Sequence, residues 1–268
     1  MLRDITLGQY YRVDSIIHKL DARLKLISTF IFMISLFCFR GFIGYAIVAL
    51  FLFSVIKLSK IPLSYMVKGL KTIMMLMLIT VVFQLFFTSG TVICQLWIFK
   101  ITKEGIKSAI FISLRLIFLI LGSSIMTYTT TPNQLTDAIE AVLKPLKYIK
   151  VPVHDIAMMM SIALRFIPIL VEETDKIMKA QLARGADFES GNLLKRAKSM
   201  LPIFVPLFVS AFKRADDLAV AMEARCYKGS EGRTKMYSLN YKKRDIIAYG
   251  IVAIYFISII VIPRIVKF

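Results

Sequence analysis

Five apolar runs dominate the chain, at Leu24–Phe39, Phe42–Ile56, Thr72–Thr88, Ile106–Tyr128 and Ile246–Ile262. A helix needs about 20 apolar residues to cross the hydrocarbon of a bilayer, and somewhat fewer when its ends snorkel. Backbone polar groups in lipid must be satisfied internally, which such unbroken runs achieve as helices. The first two runs are short and read as a hairpin turning at Arg40-Gly41. At 57% hydrophobic residues and a mean hydropathy of +0.71, the chain is more apolar than a soluble domain of its length. The expectation is an all-α membrane protein of about five transmembrane helices, with a cytoplasmic set of long helices between the fourth and the fifth.

Charge sets the orientation. The formal net charge is +18, and the bases cluster beside apolar runs as the positive-inside bias requires, with no nucleic-acid module in sight. Residues 1–25, 57–71 and 129–245 together hold 28 Lys/Arg, against six in the segments assigned to the other face. Residues 1–128 therefore form four membrane helices with a cytoplasmic N-terminus, residues 129–245 a cytoplasmic helical domain, and residues 246–268 a last membrane helix that leaves the C-terminus outside. No cleavable signal is expected, because residues 1–25 are charged and no small-residue cleavage site follows the first run. The segment Lys60–Lys71 reads as an interfacial helix with Leu63, Met66, Val67 and Leu70 towards lipid, and Trp97 as part of an aromatic belt. Cys38, Cys94 and Cys226 are scattered and odd in number, so no disulfide framework is implied. His18 and His154 are too few and too far apart for a zinc site.

Within 129–245, Thr131-Pro132-Asn133-Gln134 is a helix start: Thr131 caps, Pro132 suits the first helical position, and Gln134 completes a capping box. Pro145 ends or kinks that helix. A second helix is expected from about Asp155 to Arg184, and a third from about Leu193 to Arg225, interrupted near Pro202 and Pro206. Ile156–Val171 and Met200–Phe212 could pass for a membrane hairpin. That hairpin would export Lys176, Lys179, Arg184, Lys195, Arg196 and Lys198, which the charge bias disfavours.

The two long cytoplasmic helices end alike. Ala180-Gln181-Leu182-Ala183-Arg184-Gly185 recurs as Ala221-Met222-Glu223-Ala224-Arg225-Cys226. Alanines at i and i+3 share a helix face and permit close approach, and each following arginine offers a planar fork of donors to a carboxylate or to helix carbonyls. Gly185 suits the left-handed residue that ends a helix; Cys226 takes that conformation at greater cost. The bland reading is two ordinary surface helix ends with solvated arginines, and recurrence on one side of the membrane is what lifts the pair above it.

These residues resemble the two Ala-Arg-Gly signatures of the transmembrane T component of energy-coupling factor (ECF) transporters, with Cys226 departing from the usual glycine. His18–Leu26, Leu164-Arg165-Phe166-Ile167-Pro168 and Ala221–Tyr227 extend the likeness, and Gly229–Lys235 resembles the form shared among several substrate-binding subunits. The resemblance implies a non-catalytic coupling subunit for vitamin or micronutrient uptake across the cell membrane. Its cytoplasmic coupling helices would dock on two ABC-type ATPases through Ala183, Arg184, Gly185, Ala224, Arg225 and Cys226. It implies a membrane-embedded substrate-binding S component as a further partner. Met158, Met159 and Met160, adaptable thioethers, and Arg115, the one base deep in a span, are the candidates to touch it. The bland readings are core filling for the methionines and a carbonyl-bonded buried arginine.

No Gly-x-x-x-x-Gly-Lys-[Ser/Thr] loop occurs, so no cofactor is expected in this chain, and ATP and magnesium would belong to the partner ATPases. No catalytic or metal site is expected either. The alternative, an ATPase-independent secondary carrier or channel, calls for a polar path and inverted repeats, and neither is visible.

Overall fold

The computed structural model describes residues 9–39, 41–96, 99–188, 192–229 and 239–265. Helix α1 (Ala22–Ser35) is capped by Asp21, whose carboxylate accepts the Arg23 backbone N–H at 2.8 Å. Helices α2 (Phe42–Ser59) and α3 (Leu63–Phe87) follow. Strands β1 (Val92–Leu96) and β2 (Phe99–Thr102) then pair antiparallel, with Gln95 opposite Lys100 and Leu96 opposite Phe99. Helix α4 (Lys103–Thr129) starts at Thr102, whose hydroxyl accepts the Gly105 N–H at 3.1 Å. Next come α5 (Pro132–Leu143), a 3₁₀ segment (Lys144–Ile149), α6 (Val153–Ala183), α7 (Leu193–Ser199), α8 (Leu201–Ala224) and α9 (Lys243–Ile265). The all-α expectation holds for the body of the protein; the short β hairpin is an addition to it.

By length and composition α2, α4, α6 and Lys243–Ile262 of α9 can cross a bilayer, and the bent α3 raises the number to five; the set includes α6, expected in the cytoplasm, and leaves out α1, expected as the first span. The 14 residues of α1 reach about 21 Å, less than a full crossing, and the turn Leu36–Phe39 extends them. The interfacial segment expected at Lys60–Lys71 is the first arm of α3, which bends by 59° between Leu63–Lys71 and Ile73–Phe87. Leu63 and Val67 are exposed there as expected, but Met66 is fully buried, because it turns into the core. Trp97 lies outside the described residues.

The chain divides into two compact units, split at Ala138/Ile139 and at Ser238/Leu239. In the unit that holds α1–α4 and α9, the core gathers Phe32, Leu36, Val48, Leu52, Ile125 and Ile259. Gly122 lets α4 approach α1 closely: a Cβ there would strike the Phe32 ring. Polar groups in this core are paired, with the Ser35 and Tyr255 hydroxyls 2.9 Å apart and Tyr128 donating to the Tyr65 carbonyl at 3.1 Å. Leu50, Met75, Phe87 and Ile254 are each at least 70% exposed, a surface that suits lipid rather than water.

At the N-terminus of α1, polar groups close the bundle. Asp245 is 1% exposed and accepts the backbone N–H groups of Asp21 at 3.0 Å and Lys242 at 2.7 Å. Arg23 forks onto Asp21 at 3.1 and 2.9 Å, donates to the Leu239 carbonyl at 2.8 Å, and lies 4.1 Å from the centre of the Tyr241 ring. Beside them, burial pushes the His18 pKa below its ordinary value, so the neutral ring is favoured. Its Nε2 then donates to the Tyr11 carbonyl at 2.9 Å while Nδ1 accepts from Ser15 at 2.7 Å. The His18–Leu26 stretch, read from sequence as part of the family likeness, is thus largely this structural closure.

Candidate functional site

The capping box that opens α5 forms as expected: Gln134 N–H donates to Thr131 Oγ1 at 3.3 Å, and Thr131 N–H to Gln134 Oε1 at 3.2 Å. Pro145 ends the α-helix, and the chain continues as the 3₁₀ segment to Lys150, at φ 62°. His154 Nδ1 and Glu140 Oε1, 2.7 Å apart, then tie α6 back to α5. Helix α6 runs through Pro168 to Ala183, as the expected boundaries required. The third expected helix is broken at Met200 into α7 and α8, while Pro206 is absorbed within α8.

Helices α6 and α8 run antiparallel. Near one end Gln181 Nε2 donates to the Pro202 carbonyl at 3.4 Å. Midway Arg214 Nη2 meets Glu173 Oε2 at 3.2 Å, and near the other end the Tyr227 hydroxyl donates to Met158 Sδ at 3.0 Å. Arg214 thus reaches across to α6, while Asp216 and Asp217 on α8 are exposed. Between the helices lies a cleft of about 280 Å³, where Ala211, Ala215 and Ala219 of α8 face Ile162, Phe166 and Leu170 of α6.

The two tips share one geometry. Arg184 is the C-cap of α6, at φ −83° and ψ 3°, and Gly185 follows at φ 86°. Gly185 N–H donates to the Leu182 carbonyl and Ala186 N–H to the Gln181 carbonyl, both at 3.0 Å. In α8, Cys226 N–H donates to Glu223 at 2.8 Å and Tyr227 N–H to Met222 at 3.0 Å. Both are Schellman motifs. Cys226 adopts φ 56°, so the departure from glycine leaves the turn intact.

Ala183, Arg184, Gly185, Ala224, Arg225 and Cys226 are all exposed. Neither Arg184 nor Arg225 forms an ion pair among the described residues. Because the helices are antiparallel, the tips stand at opposite ends of the pair. With Arg225 beside the start of α6 and Arg184 at its end, roughly 35 Å separates them at about 1.5 Å per residue. The sequence revealed the matching chemistry of the tips but not this spacing.

The remaining candidates divide. Met159 and Met160 are exposed, whereas Met158 is partly buried and holds Tyr227. Arg115 lies in α4, half-buried, with its guanidinium carbon 5.1 Å from the centre of the Phe37 ring; its Nε is shielded and unpartnered, so the expected carbonyl bond is not made there. Of Gly229–Lys235 only Gly229 is described, at φ 85°, and the rest lies outside the described residues. No group of three or more His, Cys, Asp or Glu is arranged to hold a metal among the described residues.

A family model described as cobalt transport protein matches residues 14–236. The chain is similar to the energy-coupling factor transporter transmembrane protein of Ruminiclostridium cellulolyticum, at 53% identity over 95% of this chain and 96% of that one. It is 51% identical to the protein of that name from Clostridium kluyveri, over 99% of this chain and 98% of the relative. With the Bacillus subtilis protein of the same name the identity is 49%, over 91% and 93%. With its apolar helices and these relatives matched over nearly their whole length, the chain belongs to the family of energy-coupling factor transporter transmembrane proteins, the membrane subunits of those transporters.

Proposed function

We propose that this subunit couples two ABC-type ATPases to a membrane-embedded S component for vitamin or micronutrient uptake, with residues 129–245 and the N-terminus in the cytoplasm. Arg184 and Arg225 dock one in each ATPase, with Ala183, Gly185, Ala224 and Cys226 allowing close approach. ATP and magnesium are held by the ATPases. Met159 and Met160 lead the surface offered to the S component, with Met158 beside them and Arg115 as a further contact within the bundle. The observation that carries this reading is the matching capping turn at two exposed arginines about 35 Å apart, neither of them ion-paired among the described residues. Two equivalent sockets on a paired partner call for that repetition. Helices resist compression, so a change in tip separation must appear as a change in the angle or offset between α6 and α8, and the S component feels that movement.

The test is co-purification and uptake. Arg184→Ala and Arg225→Ala each weaken ATPase docking about tenfold or more, as expected when a forked, charge-assisted contact is truncated. Together they abolish co-purification, while chain abundance stays at the wild-type level. Equal loss of abundance and uptake would make the arginines structural instead. Uptake by the purified chain alone would favour the carrier reading.

A further inference from the structure

On the unit that holds α1–α4 and α9, a crevice of about 160 Å³ opens between helices. Lys25, Ser28 and Phe32 of α1 line it, together with Val55 of α2, Met126 of α4 and Ile251 of α9. Lys25 is 6% exposed, and its ammonium donates to the His18 carbonyl at 3.1 Å and the Thr129 carbonyl at 2.8 Å. An ammonium has three donors, so one remains. No carboxylate lies within ion-pair distance of it among the described residues. The nearby acids are engaged elsewhere, Asp21 by Arg23 and Asp245 by backbone N–H groups.

One turn further along α1, the Ser28 hydroxyl is shielded from solvent and has no partner among the described residues. Its neighbours do not share that fate: Thr29 bonds back to the Lys25 carbonyl at 2.8 Å and Ser35 to the Phe32 carbonyl at 2.6 Å. A buried, unpaired hydroxyl is costly and calls for an acceptor or donor to meet it. Beyond Ser28 the walls are aromatic and aliphatic. Along about 10 Å of helix the lining thus passes from cation to hydroxyl to hydrocarbon. That order matches an amphiphile whose charged end is an anion.

We propose that this crevice binds an anionic phospholipid from the leaflet that meets the N-terminus of α1. Its phosphate takes the third Lys25 donor, its glycerol-ester region meets Ser28, and one acyl chain lies along Phe32, Val55, Met126 and Ile251. A zwitterionic lipid fills the apolar part equally well but lacks the net charge that the lysine rewards.

The test places a single tryptophan at the rim, Leu58→Trp in a Trp97→Phe background, in the full chain reconstituted into vesicles of phosphatidylcholine with a minority of phosphatidylglycerol. Leu58 is 47% exposed and lines the crevice; Ile254, 70% exposed in the middle of α9, outside the lining and far from the bases at its ends, carries the reference tryptophan. Per mole of lipid, brominated phosphatidylglycerol quenches position 58 about fivefold more than brominated phosphatidylcholine, the ratio expected for one basic contact at the membrane surface. At position 254 the ratio stays near one. Lys25→Met removes the preference at position 58. Val55→Phe fills the crevice without touching the lysine and removes it too, so the result does not hang on a variant that unfolds. Equal quenching by both lipids at position 58 overturns the proposal. So does the same preference at position 254, or a preference that survives both substitutions.

Discussion

Cys226 carries a left-handed backbone at φ 56° where its counterpart, Gly185, has no side chain to strain. An L-residue in that region costs roughly 1–2 kcal/mol, part of which glycine gives back through its freer unfolded chain. Cys226→Gly should therefore raise stability by about 0.5–1 kcal/mol. Gly185→Ala should lower it by about 1 kcal/mol, although nothing lies within 4 Å of the added methyl, because conformation alone is at issue. Thermal unfolding of the detergent-solubilised chain measures both. If docking reads the capping turn, Cys226→Gly also leaves ATPase co-purification unchanged. At this scale the sequence was informative, because a cap is a local motif. Thr131 and Gln134 announced their reciprocal bonds, and Gly185 its turn, from three or four neighbouring residues. Lys25 gave no such signal, since its partners are carbonyls at positions 18 and 129.

Helices α6 and α8 are held at both ends and in the middle by single polar contacts, Gln181 to Pro202, Glu173 to Arg214 and Tyr227 to Met158. The cleft between them is lined by Ile162, Phe166 and Leu170 of α6 and, on α8, by Ala211, Ala215 and Ala219 flanked by Leu218 and Met222. Such loose packing lets one helix turn or slide on the other at low cost, whereas a filled interface locks the pair. Ala215→Phe should fill the cleft and reduce uptake several-fold, with ATPase co-purification preserved. Loss of both would place the alanines in docking rather than in motion. The expected helix ends of α6 were legible because capping and breaker residues mark them. The break at Met200 falls where Pro202 led the sequence to expect one, but the run of α8 through Pro206 and the bend in α3 were not legible, because the geometry of a helix at a proline or a bend depends on what it packs against.

Across the molecule, Asp245 joins chain positions 224 residues apart by accepting from the Asp21 backbone, and it caps α9 through Lys242. Asp245→Ala leaves two N–H groups without their acceptor in a buried setting and should cost about 3 kcal/mol, read as a fall in the unfolding temperature. Asp245→Asn keeps one acceptor oxygen and should recover about half of that. Arg184→Ala, at an exposed tip, should leave the unfolding temperature unchanged, which separates the closure of the bundle from the docking surface. By itself the sequence determined the helical class, the caps and the matched chemistry of the two tips, because hydropathy and capping act over one or a few turns. Only the tertiary structure decided the antiparallel run of α6 and α8, the distance between the arginines, the burial of Met66 and the polar closure at Asp245. Those features depend on contacts between residues far apart in the chain, which no local pattern encodes.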